Sequence, residues 1–149
     1  MQNTALQIVA AKALPALSGC QLTYNAEKNL FLTPGYTSPA GNTYFKSLRL
    51  SDRLLIYCEL GQGYSILFLN AISLYVWDGT HAKLISREEW GGCGNWMGYS
   101  EHFVKEKSIK MLSDYLKGQL KIAGERATDS EVTEYARSMV ESIPCRRIG

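Results

Sequence analysis

Apolar positions recur along this chain with two different periods, and each change of period marks a change of element. Leu6, Val9, Ala10, Ala13, Leu14 and Leu17 return at helical spacing. Thr4-Ala5-Leu6-Gln7 has the form of a capping box, in which a Gln reaches back to the cap three residues earlier. A short amphipathic helix is predicted over Thr4–Leu14, ended by Pro15 and Gly19. The period then drops to two. Gln21–Asn25 and Asn29–Thr33 flank a polar turn at 25–28 and read as a hairpin. Pro34 to Asn42 is a loop by composition, and Tyr44–Leu50 reads as an edge strand or an irregular segment. In Arg53–Leu60 the face Leu54, Ile56, Cys58, Leu60 is apolar. Tyr64–Leu69 and Ile72–Trp77 are apolar on both faces, and Asn70-Ala71 reads as a tight turn between them. Asp78-Gly79 is the pair a type I′ turn demands, because both central residues need positive φ. Trp77-Asp78-Gly79-Thr80 is therefore predicted as a hairpin turn into His81–Ser86. Connections this short imply a four-strand antiparallel meander.

Four glycines between Gly91 and Gly98 interrupt the pattern, and helical spacing follows. Ser100 is the predicted cap of a long helix running to Ala123, with Gly124 as its stop. Val104, Met111, Leu112, Tyr115, Leu116, Leu120, Ile122 and Ala123 spread over about half its circumference at ~100° per residue. Lys107, Lys110, Lys117 and Lys121 lie on the other side. Thr128 and Glu131 form a second capping box. It opens a helix with the stripe Val132, Tyr135, Ala136, Met139, Val140, Ile143, ended by Pro144, and Cys145 to Gly149 reads as a tail. The predicted fold is α+β in a single domain, residues 1–149. It has an N-terminal helix, an antiparallel sheet of five to seven strands built as a meander, and two C-terminal helices packed on the sheet. Strands apolar on both faces must be covered on both sides. Either the helices divide between the faces, or a second copy of the chain covers one as a homo-oligomer.

Composition narrows the classes. The chain has 149 residues, 46% hydrophobic and 20% charged, with a net charge of +2. That is enough apolar surface for a core without staples, and it excludes disorder as the dominant state. Residues 76–149 hold eleven of the 16 basic and eleven of the 14 acidic residues, so charge is concentrated on the helical half. A net charge this small leaves little electrostatic footprint for nucleic acid. The N-terminus lacks the basic and apolar regions of a secretory signal. The longest uncharged run, Leu60–Trp77, is broken by Gly61, Gln62, Gly63 and Asn70, so no membrane span is predicted, and a cytoplasmic location is expected. Cys20, Cys58, Cys93 and Cys145 are too widely spaced for a zinc knuckle. Free thiols are expected, with Cys58 buried and inert and no Cys20–Cys93 disulfide. No metal or other cofactor is expected.

The Gly-rich loop holds the candidate chemistry. Cys93 is a candidate nucleophile, with His102 or His81 as base, Asp78 as its orienting group and amides around Gly92–Gly94 as an oxyanion hole. Trp-Gly-Gly-Cys-Gly-Asn-Trp superficially resembles the active-site peptide of papain-like proteases. Cys93, however, stands where that family has a disulfide-bonded cysteine, and no histidine follows at the family's distance, which excludes the family. As a binding loop the same segment offers Trp90, Trp96, Met97 and Tyr99 as anchors. As a connector it would be pinned by Trp90 and Trp96. No Lys-Ser/Thr pair follows the glycines, so the phosphate-loop pattern fails. Glu88 and Glu89 are adjacent on a strand and diverge. The residues point first to a non-enzymatic protein-binding domain of the small inhibitor, adaptor, immunity or chaperone kind, including those carried by phages or mobile elements. The alternatives are a cysteine-dependent enzyme using Cys93, and a nucleic-acid-contacting accessory protein using the lysine-bearing helix and Arg146-Arg147.

Overall fold

The computed structural model describes residues 4–13, 22–25, 30–31, 46–50, 54–63, 66–77, 81–90, 97–98, 100–142 and 145–148, with side-chain environments for 4–12, 54–59, 69–76, 83–90 and 100–142. Its elements, in chain order, are α1 (Thr4–Ala13), β1 (Leu22–Asn25), β2 (Leu30–Phe31), β3 (Lys46–Leu50), β4 (Leu54–Gly63), β5 (Ile66–Trp77), β6 (His81–Glu89), β7 (Met97–Gly98), α2 (Glu101–Ala123), α3 (Asp129–Glu141) and β8 (Cys145–Ile148). The fold is α+β. Three helices accompany an antiparallel sheet whose centre is the three long strands β4, β5 and β6.

Shorter strands extend the sheet on both sides, giving the order β2-β1-β6-β5-β4-β3-β8, with β7 paired to β5. The expected count of five to seven strands is not confirmed. One reason lies at the C-terminus. Cys145–Ile148, expected as a tail, pairs antiparallel with β3, Leu48 opposite Arg146. The predicted Trp77–Thr80 hairpin turn falls on residues 78–80, outside the described residues; the flanking register brings Trp77 opposite Ala82.

The predicted turn at Asn70-Ala71 is absent. Both residues lie inside β5, one twelve-residue strand. Glu59 pairs with Ala71 and Leu60 with Leu69, so Asn70 is the extra residue of a β-bulge. A bulge shifts the side-chain alternation by one residue. Leu69 and Ile72, on opposite faces by simple counting, therefore share one face. The alternation had suggested two strands and a turn because a bulge and a turn both break period two at a polar residue. A second bulge places Ile85 between the pairs Leu74–Ser86 and Tyr75–Leu84.

One core results. Leu54, Ile56, Cys58, Leu69, Ile72, Leu74 and Val76 of the sheet pack with Leu6, Val9 and Ala10 of α1, Val104, Ile109, Leu112 and Leu116 of α2, and Val132, Ala136 and Val140 of α3. The helices do not divide between the faces: all three contribute to this single cluster. The opposite face of β4 and β5 is buried within the single chain at Leu55, Tyr57, Ser73 and Tyr75. These residues need no second copy to shield them.

Helix ends follow local chemistry. Ser100 caps α2, its hydroxyl accepting from the Phe103 N–H at 3.4 Å. Gly124 closes α2 at φ 71°, and the Glu125 N–H reaches back to Leu120 O at 2.9 Å. Thr128 and Glu131 make the reciprocal capping box of α3, at 3.0 and 3.1 Å. Thr4, expected as the cap of α1, lies within the described helix. Ser108 is buried in α2 and donates back to Val104 O at 2.7 Å. No helix among the described residues is long and apolar enough to cross a membrane.

Candidate functional site

Three places bring chemistry-bearing side chains together. The first is the start of the Gly-rich loop. Trp90 ends β6 with its N–H donated to Asn70 O at 2.7 Å. Its half-buried ring meets Phe103 edge-on, centroids 5.6 Å apart and planes at 63°. Lys107 Nζ lies 5.8 Å from the Trp90 centroid and 5.9 Å from that of Phe103, and pairs with Glu88 at 2.9 Å. This latch joins the sheet to the first turns of α2 by burial, a cation–π contact and an ion pair. Trp90 therefore packs inward. Met97 lies in β7 opposite Leu69. Trp96, Tyr99, Cys93 and Asp78 fall outside the described residues. His81 opens β6 opposite Thr23. His102 is exposed in the first turn of α2, near the other end of β6, roughly 27 Å of strand away at ~3.4 Å per residue. A single nucleophile would reach one of these histidines, not both.

The second place is a polar ladder on the sheet face away from the core. Tyr57, Ser73 and Arg87 form one cross-strand row, and Glu59, Ala71 and Glu89 the next. Arg87 uses its whole fork. Nη1 donates to Ser73 Oγ at 2.9 Å, Nη2 to Glu59 at 2.8 Å and Nε to Glu89 at 2.8 Å. Ala71 contributes only a methyl between the two carboxylates and leaves room for the guanidinium. Burial opposes the charge on Arg87, but its bonds to Glu59 and Glu89 outweigh that and raise its pKa. Burial also pushes the Tyr75 phenol up, against a hydrogen bond with Ser73. Glu59 and Glu89 are thus held by one cation, which suits a structural tie better than acid–base work.

The third place is a cleft of about 440 Å³ between α1, α2 and β6. Val9, Ile85 and Tyr115 line it with Ile122, while Lys12 and Lys83 stand at its sides. Ile122 is 80% exposed. The helical pattern placed Ile122 and Ala123 on the buried face of α2, but both are exposed, because the core contacts of α2 end at Leu120. Ile8, the other large exposed hydrophobic among the described residues, is one turn before Lys12 on the same side of α1. A larger hollow of about 580 Å³ at the α2–α3 turn is walled largely by charged groups, where Lys117 pairs with Asp129 at 3.4 Å.

No family model, no curated protein and no solved structure matches this chain. The site must therefore be judged on its own residues. Among the described residues no cluster of His, Cys, Asp and Glu is suited to a metal, and Cys58 is buried on the core face. Cys20 and Cys93, between which no disulfide is expected, lie outside the described residues.

The lysine side of α2 is not the open stripe the spacing suggested. Lys107 turns onto Glu88, Lys110 pairs with Asp114 at 3.1 Å and Lys117 with Asp129. Periodicity missed the Arg87 ladder and Lys83, since both depend on which strands become neighbours. Ile122 was visible in the sequence as an apolar residue at the margin of a stripe, a position that burial alone decides.

Proposed function

We propose that this chain is a non-enzymatic protein-binding domain, and that the cleft between α1, α2 and β6 is a principal contact. The observation that carries it is Ile122. This isoleucine is 80% exposed, and it stands at the lip of an apolar cleft beside Lys12 and Lys83, which make no ion pair among the described residues, instead of singly on a polar surface. Isolated exposed hydrophobics need no explanation, whereas one grouped with a concave apolar site does. The Gly-rich loop is the second contributor, through Trp96, Met97 and Tyr99. Trp90 serves there as the fixed end. The ion pairs made by Lys107, Lys110 and Lys117 disfavour the nucleic-acid alternative, since each pair neutralises a charge that phosphate would need.

The test is affinity capture from host lysate with and without nuclease, comparing the wild type with Ile122→Glu. A protein captured by the wild type, resistant to nuclease and lost with Ile122→Glu supports the proposal. Capture that disappears with nuclease favours nucleic acid. For the loop, Trp96→Ala should weaken capture about thirtyfold, as truncating an aromatic anchor typically does, and Cys93→Ser should be silent. The reverse order, together with a thiol that alkylates rapidly at neutral pH, favours the cysteine enzyme.

A further inference from the structure

The charges around the cleft identify the kind of segment it would take. Most lysines of α2 are neutralised: Lys105 lies 4.0 Å from Glu141, and Lys107, Lys110 and Lys117 have closer partners. Lys12 and Lys83 differ. Neither makes an ion pair or hydrogen bond among the described residues, and they flank the same apolar cleft from α1 and β6. Its described lining, which adds Leu84, Gln119 and Ala123, contains no acidic residue. Lys83 stands opposite Val76 in the register, so it shares the core-side face of the sheet with the helices. Lys83 is half-buried there, and the described lining supplies it no carboxylate.

We infer that the cleft binds an acidic amphipathic segment of a partner protein, one presenting an aliphatic side chain flanked by carboxylates. The aliphatic group would cover Ile85, Tyr115 and Ile122, and the carboxylates would meet Lys12 and Lys83. Opposite charges at the rim of an apolar contact set partner choice and raise the association rate. The inference rests on the protein-binding proposal and adds the partner's chemistry. A free fatty acid carries the same two features. The exposure of Ile122, at 80%, favours a side chain lying across an open groove over a tail that needs enclosure.

The experiment is a backbone-amide NMR titration of the full chain with three capped octapeptides. Each has a central Leu-Leu pair, flanked by glutamates, by serines or by lysines. The glutamate peptide should shift the amides of Lys12, Lys83, Gln119 and Ile122. It should bind about fivefold more tightly than the serine peptide, as expected for two exposed charge pairs of ordinary strength, and the difference should shrink in high salt. The double variant Lys12→Glu/Lys83→Glu should prefer the lysine peptide. Equal binding of the glutamate and serine peptides, no change of preference in the double variant, or shifts confined to other surfaces would each overturn the inference. So would decanoate shifting the same amides while the glutamate peptide does not. Capture of a partner that Ile122→Glu abolishes but Lys12→Glu/Lys83→Glu leaves intact would remove the acidic specificity and keep the protein-binding proposal. Loss of all protein capture would remove both.

Discussion

The Trp90 N–H donates to the carbonyl of Asn70 at 2.7 Å. Asn70 is the bulged residue of β5, displaced from the β4 register, and its carbonyl continues the β5–β6 ladder one step beyond the Ala71–Glu89 pair. The bulge and the start of the Gly-rich loop are thus one structural unit. Deleting Asn70 would remove the extra residue and leave Leu69, fully buried here, two positions before Ile72 and so still on its face. That deletion should keep the leucine site filled and cost about 1–3 kcal/mol, through loss of the carbonyl that accepts from the Trp90 N–H. Asn70→Ala, which keeps the count, should cost much less. Chemical denaturation of the two variants checks the contrast.

Trp90→Ala should destabilise the fold by about 2 kcal/mol, below the usual range for a fully buried tryptophan because the ring is only half-buried. It also strips Lys107 of one of its two ring contacts. Denaturant melts should show the midpoint falling while the slope stays constant.

Glu106 and Arg137 join α2 to α3 through a two-pronged contact at 2.8 and 3.0 Å. Hydrogen bonding from Arg137 holds the Glu106 carboxyl below its ordinary range. A depressed folded-state pKa contributes stability that is present above the unfolded carboxyl's pKa of about 4.3. That stability is lost as pH falls through the folded value. Arg137→Gln should flatten this part of the acid limb. Thermal melts of wild type and variant between neutral and acidic pH should converge at the acid end.

The Tyr75 phenol is raised by burial, and the sign of its contribution is the opposite. Its share of stability is full below the unfolded phenol's pKa of about 10 and declines as pH rises through the folded value. Tyr75→Phe should weaken the alkaline loss. Ultraviolet titration should find one phenol fewer ionising late.

Gly124 has φ 71° with open space where a Cβ would stand. The cost of Gly124→Ala is therefore backbone strain alone, about 1 kcal/mol. Thr128→Ala removes the hydroxyl acceptor of the α3 capping box and should cost about 1 kcal/mol as well. The two sites are close in sequence, and a double variant in thermal denaturation would show whether they act as one turn.

The amino-acid sequence by itself determined the three helices, the limits of α2 and the start of α3. Ser100, Gly124, Thr128 and Glu131 act on backbone groups within a few residues, so their meaning does not depend on the rest of the chain. It also determined that antiparallel strands with an apolar face would pack with amphipathic helices. Tertiary structure decided the rest. Whether Asn70 turns the chain or bulges it depends on Leu60 lying opposite Leu69. Whether Arg87 is a surface cation or the tie of a ladder depends on Glu59, distant in sequence, becoming its neighbour across β5. Ile122 belongs to the apolar pattern of α2, yet the core contacts of α2 end at Leu120 and leave it exposed. Periodicity tells which side of an element is apolar; only the packed neighbours decide where along that side the cover stops.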